Sequence, residues 1–236
     1  MTRRVVIHQD DVGMCHGANA AFVELSRRGT ITCGSAMVPC PWFSEIAELA
    51  AGDPTLDLGV HLTLTAEKAF YRWRPLTAPR PSAGLTDPSG HLWRDVASVR
   101  RHADPDAVEA ELAAQVEAAL DAGIDVTHLD AHMGAAIAPE LGDIYVRLGA
   151  EHDLPVLLTS SLTGYAPSDH LAGATETDYA PIVEAARSFG QPIFDEARET
   201  PWDRPATGAV RPTYEALFSR PARRADVHGA PPEHTR

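Results

Sequence analysis

The stretch Val5-Val6-Ile7-His8-Gln9-Asp10-Asp11-Val12-Gly13 decides how this chain is read. Val5 to Ile7 has the look of a short buried strand: three β-branched apolar residues in a row. The run ends in two adjacent carboxylates and a glycine. An apolar strand that runs into acids at its C-terminal end fits the edge of a parallel sheet, where α/β folds place their sites. Neighbouring aspartates repel each other, and in a partly buried cleft a cation or a proton must offset that repulsion. In a straight strand Asp10 and Asp11 point to opposite sides, so both reach one site only if the chain turns there. Val12-Gly13 permits such a turn. A solvated Asp-Asp surface turn is the alternative.

Outward from this stretch the chain alternates strand and helix patterns. A helix over about 17–28 is expected from Ala18, Ala21, Phe22 and Leu25, with Gly29 as its C-terminal cap. Ile31 to Val38 reads as a strand, broken by Pro39-Cys40-Pro41. A helix over about 43–51 and a strand from Leu56 to Val60 follow, the strand running into His61-Leu62-Thr63. Periodicity disappears over 66–104, where four prolines alternate with Phe70, Tyr71, Trp73 and Trp93. The aromatic content argues for an ordered insertion or lid rather than disorder. Asp104 and Pro105 open a helix to about 122, and Val108, Leu112, Val116 and Leu120 form its apolar stripe. Further elements are expected after Pro139, over Pro155–Leu158, near 179–188, at Ile193-Phe194 and at about 214–219. This order predicts one α/β domain over 1–219 with mainly parallel strands, and a patternless tail over 220–236.

A formal net charge of −13 argues against nucleic acid or an anionic membrane surface as partner, since both need clustered positive charge. Cys15, Cys33 and Cys40 make an odd count without a Cys-x-x-Cys pair, which disfavours a disulfide framework or a thiolate-rich zinc site. No apolar run approaches membrane length, and a reducing cytoplasm is the expected location.

The chemistry concentrates in His128-Leu129-Asp130-Ala131-His132. An extended His-x-Asp-x-His run puts its three polar side chains on one face. With His61 and the Asp pair also at expected strand ends, these residues suit a divalent metal centre. Imidazoles and one carboxylate around an open position bind a water and lower its pKa. A second carboxylate, off the metal, can take the proton. Such a donor set suits Zn²⁺, Fe²⁺ or Co²⁺ better than Mg²⁺ and does not fix the metal.

Several segments together resemble the YdjC-like carbohydrate deacetylases. They are Asp10-Asp11-x-Gly13 with Asn19 six residues on, Gly59-Val60-His61-Leu62-Thr63, Thr127-His128-Leu129-Asp130-Ala131-His132, and Leu85-Thr86-Asp87 with Gly90-His91-Leu92-Trp93. The resemblance covers roughly residues 4–160. It implies a distorted (β/α) barrel and removal of N-acetyl groups from amino sugars with a divalent ion, Mg²⁺ or Zn²⁺. It also implies Asp11, His61 and His128 as metal ligands, Asp10 as general base, His132 close by as a catalytic group that supports a ligand, contacts substrate or donates a proton, and a homodimer. Trp73 and Trp93, with Asp130, are the expected substrate contacts. Two departures stand out. Gly134 occupies the place of a further histidine, and the late histidine motif is reduced to Val227-His228-Gly229, which predicts a barrel incomplete at its C-terminal end. A non-catalytic carbohydrate- or metal-binding relative is the second expectation. A phosphoesterase fits less well, because there is no Gly-rich, basic phosphate loop.

Overall fold

The computed structural model describes residues 4–166, 171, 173–200 and 215. The segments expected at 214–219, 220–236 and around His228 lie outside these residues, save for residue 215.

A four-stranded parallel sheet carries the fold. Its strands are β1 (His8–Val12), β2 (Cys33–Ala36), β3 (Leu58–Leu62) and β4 (Val126–Ala131), side by side in chain order. Helices α1 (His16–Arg27) and α2 (Phe43–Gly52) connect the first three strands. Between β3 and β4 lie α3 (Val96–His102) and α4 (Pro105–Asp121), and α5 (Gly142–Glu151) follows β4. Every residue of β2 and β3 is buried, as expected for strands covered on both faces. The curved wall continues past β4 as single bridges, Leu129 to Val156 and Thr159 to Phe194. Thus the expected strands at 155–158 and 193–194 persist as backbone pairing without regular ladders. Pro155, which lacks an N–H, contributes only its carbonyl, to Leu129 N. A two-stranded pair, β5 (Tyr165–Ala166) and β6 (Ala197–Arg198), and helix α6 (Glu176–Ser188) complete the described part. This is a mixed α/β fold with the parallel wall of a distorted barrel.

One expectation is corrected at the start of the chain. Val5, Val6 and Ile7 are 52%, 47% and 39% exposed, and the strand begins only at His8. β1 is the outer strand of its sheet, so the apolar run before it has no second neighbour among the described residues to bury it. The insertion also holds more structure than its sequence announces. Besides a 3₁₀ turn at Pro81–Ala83 it contains α3, capped by Asp95, whose carboxylate accepts from Ser98 N at 2.7 Å. Two buried valines, Val96 and Val99, are too few to mark a period.

Polar groups inside the core fix the strand ends. Asn19, fully buried on α1, accepts from Gly13 N at 2.7 Å and donates to Trp42 O and Glu45 Oε2. It thereby ties the turn after Asp11 to the start of α2. Gly13 has φ +85°, which side-chain-bearing residues adopt only at a cost. Gln115, buried on α4, accepts from Thr63 N and donates to Thr63 O, both at 2.8 Å, and so clamps the chain just after His61. Glu111, one turn earlier, accepts from Leu76 N, Thr77 N and Thr77 Oγ1 and holds the insertion to α4. Within the insertion, Arg72 reaches Ala66 O, Leu92 O and the Asp87 carboxylate.

Candidate metal centre

The C-terminal ends of β1, β3 and β4 bring Asp11, His61 and His132 together. A carboxylate oxygen of Asp11 and one nitrogen from each imidazole lie within 4.8 Å of one another. Asp11 reaches this position through its backbone. Its φ is +61°, and the β1–β2 register slips between Gln9 and Val12. The left-handed residue breaks the strand's alternation at the point where the Asp11 carboxylate meets His61 and His132, and aspartate is among the residues that tolerate this conformation. His61 lies in β3, and His132 follows the end of β4, where the chain tightens into a 3₁₀ turn.

Each histidine stands between Asp11 and a second carboxylate. His61 Nε2 lies 3.5 Å from Asp11 Oδ1, while its Nδ1 lies 2.8 Å from Asp130 Oδ1. The latter is a charge contact lacking the direction of a hydrogen bond, for both atoms are buried without an aligned partner. His132 Nδ1 lies 3.2 Å from Asp11 Oδ1 and its Nε2 lies 3.1 Å from Glu67 Oε2. Burial pushes the Asp11 carboxyl up, but the hydrogen bonds from His132 and His61 together outweigh it and hold Asp11 well below the usual carboxylate range. Burial opposes charge on both imidazoles. Asp130 and Asp11 overcome it at His61, and Asp11 and Glu67 overcome it at His132, so both are raised. Glu67 is pushed up by burial and pulled down more strongly by His132, to about 2.

This arrangement fits a divalent cation. Without one, both buried histidines must carry a second proton to satisfy three carboxylates. With one, each would need only a single proton, on the nitrogen facing its outer carboxylate, and its other nitrogen would be available as a ligand. Carboxylate-backed histidines are the usual surroundings of metal-ligating imidazoles. His61 Nδ1 and Asp130 Oδ1, the buried and misaligned pair, are the atoms such an ion would draw into register.

The other expected residues fall elsewhere. His128 does not join Asp11 and His61. Its Nε2 lies 2.9 Å from His8 Nε2, one step nearer the N-terminal ends of the strands. The chain twists at the end of β4, so the three residues of the His-x-Asp-x-His run face different neighbours. Asp10 is more than half exposed at the rim, and its carboxylate pairs with His8 Nδ1 at 2.7 Å. Asp130 is buried against His61. Trp73 is 3% exposed, donates to Thr65 O and meets His132 edge to face. Trp93 donates to Gly84 O and stacks on His102 at 4.6 Å. Both indoles are therefore packed as struts of the insertion. Sequence reasoning missed Glu67 and His8. His8 carried a signal, since it shares the period-two face of Asp10, whereas Glu67 sits five residues past the end of β3 in the aperiodic insertion.

A family model described as "YdjC-like protein" matches residues 4–224. The chain belongs to the YdjC-like family. Among curated relatives of this YdjC-like chain, a protein of Thermus thermophilus named carbohydrate deacetylase is 38% identical over 69% of this chain and 56% of its own length. A carbohydrate deacetylase of Brevibacillus brevis is 33% identical over 65% of this chain and 58% of its own. The YdjC-like chain thus spans a little over half the length of these relatives. A crystal structure from Enterococcus faecalis V583, of a protein provisionally named for cellobiose-phosphate cleavage, aligns with a TM-score of 0.62 at 25% identity, over 77% of this chain and 64% of that one. No helix among the described residues is long and apolar enough to cross a membrane.

Proposed function

We propose that this chain is a divalent-metal-dependent hydrolase that removes N-acetyl groups from amino sugars or short oligosaccharides. One observation carries the metal dependence: Asp11, His61 and His132 converge at the strand ends, each imidazole backed by its own carboxylate. The substrate class rests on the relatives named carbohydrate deacetylase. Asp11, His61 and His132 hold the cation in this reading, and His128 is released from the ligand set inferred by resemblance. A bound divalent ion, Mg²⁺ or Zn²⁺, supplies Lewis acidity toward an acetamide carbonyl and acidifies a water.

The chain's own groups account for the proton movements. Asp10 stands at the rim beside the centre with an exposed carboxylate steadied by His8. It takes a proton from the attacking water as general base. Cleavage of the C–N bond needs a proton on the departing nitrogen, because an amine anion is too poor a leaving group. Asp10, now protonated, is at hand to return it. The net change is one water consumed, with acetate and a free amine released. Glu67 and Asp130 keep His132 and His61 aimed inward. Phe70, fully exposed, and Tyr71, 38% exposed, lie on the same loop as Glu67 and offer ring faces to a sugar. In this reading the protein acts in the cytoplasm and as a homodimer.

Acetate release from N-acetylated chito-oligosaccharides, with and without chelator, tests the proposal. Turnover should vanish on chelation, return with metal, and be lost in Asp10→Asn while bound metal is kept. Release indifferent to both chelator and Asp10→Asn would overturn it. Gly134, in the place where the resemblance implies a further histidine, favours a second reading, a non-catalytic carbohydrate- or metal-binding relative. Metal retention and sugar binding with no acetate from any substrate would select that reading.

A further inference from the structure

Three strands bring a second, softer set of donors together beneath the metal centre. His8 opens β1, Cys33 opens β2 and pairs with it in register, and His128 is the third residue of β4. One nitrogen of each imidazole and the Cys33 Sγ lie within 4.8 Å of one another. The three side chains are nearly enclosed: Cys33 is 7% exposed, and the His8 and His128 side chains 11% and 14%. On β3, between Cys33 and His128, stands Gly59. A Cβ there would lie 2.7 Å from Cε1 and Nε2 of His128 and 2.5 Å from its carbonyl oxygen. The missing side chain leaves room for the imidazole to lie across the strand.

Hydrogen bonds at the far side of each ring set its tautomer. His8 Nδ1 faces Asp10 Oδ1 at 2.7 Å and must carry the proton of that bond. Thr127 Oγ1 donates to Asp57 Oδ1 at 2.6 Å, which uses its only proton. The same oxygen, 2.8 Å from His128 Nδ1, can then only accept, so His128 also carries its proton on Nδ1. Two neutral rings so arranged turn their Nε2 lone pairs on each other, and those atoms are 2.9 Å apart. Lone pairs cannot face each other at that distance unless something positive joins them. A proton shared by the rings is one solution and a metal ion is the other. The thiol beside them distinguishes the two, since sulfur adds little to a shared proton and much to a transition ion.

We propose that His8, Cys33 and His128 form a second metal site, selective for a thiophilic transition ion such as Zn²⁺ or Co²⁺. Two imidazoles and a thiolate are a tetrahedral zinc-type set and a poor one for Mg²⁺ or Ca²⁺. Asp130 Oδ2, 3.8 Å from His8 Nε2, is near enough to supply a fourth donor. Binding forms a metal–sulfur bond and releases the thiol proton to solvent. Without an ion the thiol stays protonated, because burial, then Asp57, Asp130 and Asp10, push it up to about 12. Cys33 is then no nucleophile. Asp130 touches both centres, with Oδ1 on His61 and Oδ2 on His8.

Titration of the metal-free chain with Co²⁺ tests this through the thiolate-to-Co²⁺ charge-transfer band in the near ultraviolet. The parent should show the band. Cys33→Ser should lose it, and Cys15→Ser and Cys40→Ser should keep it. Asp11→Asn should also keep it, which separates this site from the one above. Elemental analysis after Zn²⁺ loading should fall by one ion per chain in Cys33→Ser. Far-ultraviolet dichroism of the metal-free variant controls for folding, and His128→Gln provides the same loss should Cys33→Ser not fold. Absence of the band in the parent at saturating Co²⁺, or its persistence in Cys33→Ser, would overturn the proposal in favour of a shared proton.

Discussion

Glu67→Gln isolates what the carboxylate behind His132 contributes. Glutamine keeps an oxygen that can accept from His132 Nε2, 3.1 Å away, so the change removes charge and little else. The His132 side chain is 2% exposed and that of Glu67 16%, so solvent screens the pair weakly. A hydrogen bond to a charged partner contributes about 1.5–3 kcal/mol net, and to a neutral one about 0.5–1.5 kcal/mol. The difference, about 1–1.5 kcal/mol, corresponds to about a tenfold loss of cation affinity. That is the lower end of the range seen when carboxylates behind metal-ligating histidines are removed. Chelator-competition titration in a Cys33→Ser background reads the upper centre alone, with Asp11→Asn as the variant that loses the ion. A Glu67→Gln dissociation constant within twofold of the parent, with the fold intact, would refute the claim that His132 holds the cation through the nitrogen facing Asp11.

Asn19→Ala leaves Gly13 N buried without its acceptor and should cost about 2–3 kcal/mol of stability, read as a lowered midpoint in denaturant; a loss under about 0.5 kcal/mol would mean that Asn19 does not pin the turn. At Asp87, burial pushes the carboxyl up, but bonds from Ser89 and Arg72 dominate and depress it. A depressed acid adds stability that is complete above its unfolded value, about 4, and is lost as pH falls toward the folded one. Amide protection factors in the insertion, taken against the intrinsic exchange rate at each pH, should therefore fall below about pH 4 in the parent. Asp87→Asn should already exchange fast at neutral pH and lack that acid limb, and identical profiles would contradict this. Phe70→Ala should leave the melting temperature unchanged and raise KM for N-acetylated sugars with little effect on kcat. Unchanged KM would remove Phe70 from the substrate surface.

The repeating elements were legible because their physics is local. The stripe of Val108, Leu112 and Val116 announces α4, and Asp104 and Pro105 announce its start, with the Asp104 side chain accepting from Asp106 N in the folded chain. β2 lies inside the strand expected over Ile31 to Val38, and β3 overlaps the one expected over Leu56 to Val60. The exposure of Val5–Ile7 was not legible, because it depends on what lies beside β1 rather than on the run itself. At the site, Asp11 and His61 were readable as strand-end groups. Which histidine of the His-x-Asp-x-His run joins them was not, since a period-two argument assumes a straight strand. β4 ends at Ala131, and the chain enters a tight turn with Met133 and Gly134 both at positive φ. Glu67 was hidden for a related reason: it belongs to an aperiodic loop whose path is set by Arg72, Trp73 and Glu111 rather than by any repeat.

The left-handed backbone at Asp11 has a consequence for how this position tolerates replacement. A saturation library there would be sieved twice. Most residues, β-branched ones first, would lower expression yield because φ +61° is closed to them. Glycine and asparagine would survive that first sieve and then emerge as well-folded chains that carry no ion at the upper centre. The Asp11→Asn or Asp11→Gly variant would serve as a scaffold on which the lower set, His8, Cys33 and His128, can be loaded alone.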